Sequence, residues 1–319
     1  MNEFDRIARI QSLVASDGQG VVLGIGDDAA VLERPAGPLV LSVDAAVEGV
    51  HFRLEFGPAR TLGRRSAVAA LSDLAAMGAV PRGMLSNIQL PANFPDQTLE
   101  ELVRGQADAA REFAAPIVGG NLCAGQELAI TTTVVGEMRS AALTRAGAKV
   151  GDLLCCSGII GAAALGLHFC SQARTHEAAA VAFVDAFLHP TARIALGQSL
   201  CGHASACVDI SDGLLQDLQH LCKASAVGAR VDFSRIPVAA NFEEIARQVG
   251  LNPAALCLGG GEDYELLFTL PSSRPIPKDC TVIGHIVSEK ESIQVVDEAG
   301  HQIAVPSAGY KHFNSESAT

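Results

Sequence analysis

Acidic residues in this 319-residue chain recur beside glycines at the ends of apolar runs, not along solvated helix faces. Asp27 and Asp28 follow the glycines of GIGDDAAV, Asp44 closes LVLSVD, and Asp73 sits in SDLAAMGA. Asp209 and Asp212 bracket DISDG, and Glu262 and Asp263 follow the triple glycine of GGGEDYEL. One such aspartate is ordinarily a helix cap or an Asx turn. Asp73 resists that reading, because it is flanked by Leu71, Leu74 and Met77 in an Ala-rich helical stretch. There a carboxylate is a poor helix former and costly to bury unpaired. Six or more such groups converging at loop tips would repel one another, and a cation resolves the repulsion. Oxygen ligands without a His or Cys pattern select Mg²⁺ or Ca²⁺, and Mg²⁺ characteristically joins a few carboxylates to substrate phosphates.

The glycines raise a competing idea. Gly24-x-Gly26-x-x-Ala29 is a permitted form of the dinucleotide fingerprint, with Asp44 about where a ribose-binding acid belongs. That fingerprint must open a crossover helix, and LERPAGPLVLSVD follows instead, with Pro35, Gly37 and Pro38 in the way. Two antiparallel strands joined by a loop suit the segment better. There is no GxxxxGK[ST], and no protein-kinase glycine loop, HRD or DFG. A nucleotide handled here would meet its positive charge in metal ions held by aspartates.

Net charge is −12, and the basic residues do not cluster with aromatics, which argues against nucleic acid. The nine cysteines are scattered without CxxC spacing, and Cys155-Cys156 lie in the apolar run LLCCSG as small core residues. No apolar run approaches 18 residues and MNEFDRIARIQ reads as an amphipathic helix, so we expect a cytoplasmic protein without a membrane partner.

The elements that must position these acids alternate. VVLGIG, PLVLSVD, RGMLSNIQL and ELAITTTVVGEM read as strands. Between them lie an Ala-rich helix near 61–78 and an amphipathic helix near 98–115, the latter opened by a capping box, Thr98-x-x-Glu101. The turn-rich RSAALTRAGAKVGD suggests a domain boundary, giving 1–137 and 138–319. In the second half LLCCSG reads as a strand, followed by helices near 176–188 and 191–200 split by Pro190. A further helix opens at DISDG with Ser211 or Asp212 as N-cap, buries Leu214, Leu215, Leu218 and Leu221, and closes at Gly228. VDFSRI, YELLFTL, CTVIGHI and SIQVV complete the half as strands.

GIGDDAAV, LSVDAAVEGVHF, SDLAAMGA, IVGGN, ALTRAGAKVGD, DISDGL, GGGEDYEL and GYKHF, in this order and across nearly the whole chain, resemble the thiamine-monophosphate kinase family. Its superfamily includes aminoimidazole ribonucleotide synthetase, selenophosphate synthetase and a hydrogenase-maturation protein. The resemblance implies a two-domain α+β / α/β fold similar to aminoimidazole ribonucleotide synthetase. An N-terminal mixed sheet with helices binds ATP and Mg²⁺ and dimerises; a C-terminal α/β domain completes the cleft. It also implies transfer of the ATP γ-phosphoryl group to thiamine monophosphate by a homodimer. By the same resemblance Asp28, Ser42, Asp44, Asp73, Asp209 and Asp212 are magnesium ligands. Gly120, Asn121, Arg145 and Ser211 meet the nucleotide, and His51, Glu262 and Tyr310 form the thiamine-phosphate pocket. Asp44, Asp73, Arg145 and Asp212 then serve the transfer step. Two residues depart from the family pattern. Val43 replaces a common Thr, so any ligand there is a backbone carbonyl, and Asn121 stands where many members have Asp.

The chemistry suits the composition. A phosphate monoester with a second pKa of about 6 is mostly deprotonated near neutrality, so the acceptor needs no strong general base, and the chain offers no evident Ser–His or His–Asp pairing. The alternatives are a synthetase of the same superfamily and a catalytically idle relative. Selenide chemistry usually needs a reactive Cys in an N-terminal glycine-rich segment, and residues 1–20 contain none. The full set of aspartates disfavours idleness.

Overall fold

A computed structural model describes residues 2–14, 18, 20–290 and 292–303. They form two compact units: residues 1–142 with 188–198, and 143–187 with 199–319.

The first unit begins with helix α1 (Glu3–Leu13), capped by Asn2, and the short antiparallel pair β1 (Val21–Leu23) and β2 (Val31–Leu32). Then come β3 (Leu39–Val47), α2 (Ala59–Met77), β4 (Val80–Leu90), α3 (Asp96–Glu112), β5 (Ile117–Ala124) and β6 (Ala129–Glu137). The four long strands make a mixed sheet in the order β3-β6-β4-β5, parallel only at β4–β5. Its alternation is visible in β6, where Ile130, Thr132 and Val134 are buried and the residues between them are not.

Helices α2 and α3 pack closely because each offers a glycine at the crossing. A Cβ on Gly63 would lie 1.9 Å from Leu102 O, and one on Gly105 1.8 Å from Arg60 O. Paired ion contacts flank the crossing, Arg60 with Asp108 and Arg64 with Glu112. Arg64 Nη1 also donates to Pro190 O at 2.8 Å, tying the returning segment 188–198 to this unit.

The second unit contains β7 (Leu153–Ser157), α4 (Ala162–Ser171), most of α5 (Val181–Leu188), the end of α6 (Ile194–Leu200), β8 (Ala206–Asp209), α7 (Leu214–Ser225), β9 (Gly228–Asp232), α8 (Phe242–Gln248), α9 (Pro253–Gly259), β10 (Leu266–Leu270), β11 (Cys280–Val287) and β12 (Ile293–Val296). Its sheet runs β12-β9-β11-β7-β10-β8, antiparallel except at β9–β12. β7 and β10 are covered on both faces, which is why LLCCS and LLFTL read as unbroken apolar runs. Cys155 and Cys156 are core residues, and burial pushes the Cys155 thiol up to about 12.

Several local expectations are corrected. Helix α3 starts at Asp96 behind Pro95, so Thr98 is no N-cap; Asp96 is instead held by Arg6 Nε at 2.7 Å. Asp44 does not end its strand, because β3 continues to Val47. The N-cap of α7 is Gly213, not Ser211 or Asp212, and its C-cap is Ala226 in a left-handed conformation, leaving Gly228 to open β9. VDFSRI leaves the sheet at Asp232 into a 3₁₀ turn, and the helix expected from 176 begins at Val181. Strands β5 and β8 and helices α4, α8 and α9 are not among the elements read from the sequence. IVGGN hides a strand behind its glycines, and the three helices are short or flanked by glycine.

Candidate functional site

In the first unit the strand register threads one row of residues across the sheet. Asp44 lies opposite Thr132, Thr132 opposite Ser86, and Ser86 opposite Gly120. With strands about 4.8 Å apart, the row spans roughly 14 Å from Asp44 to Gly120. This is the helix-covered face: Ser86 Oγ donates to Gln106 Oε1 of α3 at 2.9 Å. Ser42, two residues before Asp44 and on the same face, donates a short hydrogen bond to Asp73 Oδ2 of α2. The carboxylate inside the Ala-rich helix is therefore brought to the strand that carries Asp44. The hydroxyl of Thr132, cross-strand neighbour of Asp44, is buried and has no hydrogen-bond partner. Two carboxylates and three hydroxyls on one face, the Thr132 hydroxyl without a partner, are the hard oxygen donors that suit Mg²⁺.

Gly120 is a glycine for a steric reason. A Cβ there would stand 1.9 Å from Ser86 O, and its φ is +157°. Asn121 belongs to the next row, opposite Asn87, and its Nδ2 donates to Asn87 Oδ1 at 3.0 Å. By strand alternation that row faces away from Ser42 and Asp44, so the structure does not bring Asn121 to them. Asp27 and Asp28 are exposed in the β1–β2 connection, where the Asp28 N–H donates to Asp27 Oδ1 at 2.8 Å. His51 follows the turn after β3 and accepts the Val47 N–H at Nδ1, 3.1 Å, which leaves the proton on Nε2. Val43 projects from the other face and is exposed.

In the second unit Asp212, Glu262 and Asp263 sit on loops. Asp209, buried, ends β8 opposite Leu266. Ser211, Asp212 and Gly213 then turn into α7, and their three consecutive N–H groups donate to Asp217 Oδ2 at 3.0, 3.1 and 3.2 Å. Burial and the Asp212 charge push the Asp217 carboxyl up to about 7, against the lowering effect of those donors. Gln216 Nε2 holds Asp212 Oδ2 at 2.8 Å, and ligand atoms of Asp212, Asp217 and His220 lie within 4.8 Å of one another.

The adjoining loop is GGGEDYEL. Glu262 N donates to Ser211 O at 2.8 Å, so the two loops are stitched together. Glu262 and Tyr264 take φ of +71° and +52°, left-handed values costing about 1–3 kcal/mol each for residues with side chains. Asp263, between them, accepts the N–H groups of Gly161 at 2.7 Å and Ala163 at 3.2 Å at the start of α4. Desolvation raises its carboxyl to about 7. Asp217 is an anchor that sequence reading missed, and Asp263, noted as an acid of GGGEDYEL, was not given an anchoring role. Asp217 lies a few residues beyond DISDG, and an acid in the first turn of a helix was the available signal for it.

Arg145 stands apart. Its carbonyl accepts from Ser225 Oγ at 3.0 Å, and the same hydroxyl accepts from Gly147 and Ala148, so the loop is fixed to the last residue of α7. Ser211 and Asp212 are at the other end of that 12-residue helix, which is roughly 18 Å long. Tyr310 lies outside the described residues.

Comparison with known proteins first gives the class. The model of AIR synthase related protein, N-terminal domain, matches residues 26–138, and that of the C-terminal domain matches 149–297. The thiamine-monophosphate kinase of Escherichia coli strain K12 is 34% identical over 325 residues, covering 98% of each chain. The crystal structure of thiamine-monophosphate kinase from Stenotrophomonas maltophilia K279a superposes with a TM-score of 0.82 at 32% identity, covering 95% of this chain and 98% of that one. A structure of AaThiL complexed with AMPPCP and TMP gives 0.81 at 31%, covering 98% and 97%. The chain belongs to the thiamine-monophosphate kinase family, with an AIR synthase-like fold.

Proposed function

We propose that the chain transfers the γ-phosphoryl group of ATP to thiamine monophosphate, yielding thiamine diphosphate. The observation that carries this reading is the Ser42–Asp73 pair joined on one sheet face by Asp44, in a chain related over nearly its whole length to enzymes of that name. Asp28, Ser42, Asp44 and Asp73 of the first unit, and Asp209 and Asp212 of the second, would hold Mg²⁺. When bound, the ions neutralise the charge shared between two polyanions.

The remaining work falls to the chain's own groups. Gly120, lacking a side chain, lets the nucleotide approach β5, and Ser211 offers it a hydroxyl. His51, with Nε2–H as donor, and Glu262 bind the thiamine phosphate, Tyr310 with them. No residue need take a proton, since the acceptor is already ionised near neutrality. Arg145 is a nucleotide contact away from Ser211 and Asp212, and Asn121 acts from the neighbouring row.

The outer sheet face, with Leu39, Leu41, Val43 and Leu85 exposed, supports a homodimer, since monomers seldom leave such a patch open. No helix of the described residues is long and apolar enough to cross a membrane. Nine free thiols support a cytoplasmic setting.

The test is incubation with Mg·ATP and thiamine monophosphate, following thiamine diphosphate by chromatography. Product that needs both substrates and vanishes in EDTA is expected. ATP consumption without thiamine diphosphate would defeat this reading and favour another ATP-using reaction of the class.

A further inference from the structure

One carboxylate in the second unit has no counterpart among the residues assigned above. Asp217 is 3% exposed, lies in the first turn of α7, and spends a single oxygen on three consecutive backbone N–H groups. Those donors belong to Ser211, Asp212 and Gly213, and the N-cap Gly213 has no side chain to satisfy them. We infer that Asp217 is a positioning residue that fixes the 211–213 backbone and thereby aims the Asp212 carboxylate and the Ser211 hydroxyl at the metal-bound nucleotide.

The consequence of this geometry is specific. Rotation of the 211–213 peptides would swing the Asp212 side chain, whose other restraint is the Gln216 amide. It would also shift Ser211 O, the acceptor for Glu262 N. The second effect is weaker, because the Glu262 loop has its own anchor at Asp263. Loss of Asp217 therefore falls mainly on the nucleotide and its metal, not on thiamine phosphate. Partners that orient ligands from behind typically matter roughly 10- to 100-fold in metal affinity or activity.

This inference rests on the proposed kinase reading, and its test separates the two. Asp217→Ala and the isosteric Asp217→Asn are compared with the native protein by three measurements. They are hydrogen exchange at the 211–213 amides in EDTA, calorimetric binding of a non-hydrolysable ATP analogue with Mg²⁺, and the Mg²⁺ concentration for half-maximal rate. Asp217→Ala is expected to lose amide protection without metal, to bind the analogue roughly tenfold or more weakly, and to need correspondingly more Mg²⁺. The KM for thiamine monophosphate should stay within about twofold. Asp217→Asn, which keeps an acceptor but no charge, should fall between. If Asp217→Ala does not fold, Asp217→Asn alone decides. Native-like exchange and analogue binding in the folded variants overturn the inference, as does a loss confined to thiamine monophosphate. If native protein makes no thiamine diphosphate, the kinase reading fails, and exchange and analogue binding still decide the role of Asp217.

Discussion

Two groups of acids, one in each unit, are held by opposite means. In the first, Ser42, Asp44 and Asp73 project from a nine-residue strand and a 19-residue helix, whose hydrogen bonds and buried alanines would form whatever the acids did. In the second, Asp212 and Glu262 lie on glycine loops with no ladder of their own, and buried aspartates supply the missing acceptors. An acid on a regular element is placed by that element's own hydrogen bonds, whereas the acids on these loops need other acids to place them. Stability and activity should therefore separate on mutation in the first unit and travel together in the second.

The largest effect expected is on turnover from the first unit. Asp44→Asn and Asp73→Asn should each lower kcat by orders of magnitude at saturating Mg²⁺, because charge developing in transfer is left unneutralised. Melting temperature should hardly change, since Asp73 is only half-buried and its fold contact with Ser42 can be kept by an amide. Near-native turnover in both variants would remove the metal role. A collapse of stability would erase the contrast between the units.

Gly120→Ala tests the same sheet by backbone instead of charge. The added Cβ would meet Ser86 O at 1.9 Å, and neither strand can yield cheaply. We expect a loss of about 1–3 kcal/mol, typical of overpacking, and weaker nucleotide binding with it. Thermal melting with and without Mg·ATP measures both, and an unshifted melting temperature would show that β5 can move away from β4.

How much of this was legible beforehand follows from where each signal lives. Strands β3, β4 and β6 of the first sheet and the buried leucines of α7 were readable because apolar periodicity is local, whereas β5 was masked by its glycines. Also readable was the oddity of Asp73, a carboxylate amid Leu71, Leu74 and Met77. The Asp44–Thr132–Ser86–Gly120 row was not, because it is a product of strand register between segments up to about 90 residues apart. Ser211 and Asp212 looked like caps, as Ser and Asp before a helix usually do, whereas here they are the capped groups and Asp217 is the cap. A motif showed that acids gather; it did not show which of them hold the others.

A smaller effect, in pH, comes from the second anchor. The Asp263 carboxyl is raised from 3.8 to about 7, by desolvation first, partly offset by the Gly161 and Ala163 N–H groups, with Glu265 and Glu262 adding to the rise. A carboxyl whose folded pKa is raised favours the protonated native state. Its contribution is fully present below the unfolded value near 4 and is lost as pH rises through about 7. The neutral Asp263→Asn cannot lose it. The melting-temperature difference, native minus variant, should thus fall between pH 5 and pH 8. A difference that is flat or rises over that range would mean that the carboxylate is better satisfied than desolvation allows.

The smallest effect should come from Arg145, and it bears most directly on what the second unit's loops do. Its backbone is fixed at Ser225, a helix length from Ser211 and Asp212, and its side chain is exposed. An arginine so anchored can attract a polyanion, but its backbone does not share the anchor of Ser211 and Asp212, the groups we propose to meet the phosphates in this unit. Arg145→Ala should therefore raise the KM for ATP a few-fold, an effect that shrinks with added salt as exposed electrostatics do, while kcat stays within about twofold. Steady-state kinetics at two ionic strengths give both quantities. A kcat loss matching that of Asp212→Asn would place the guanidinium at the transferred phosphoryl group, and Arg145 would then belong with the acids of the first unit as a residue spent wholly on chemistry.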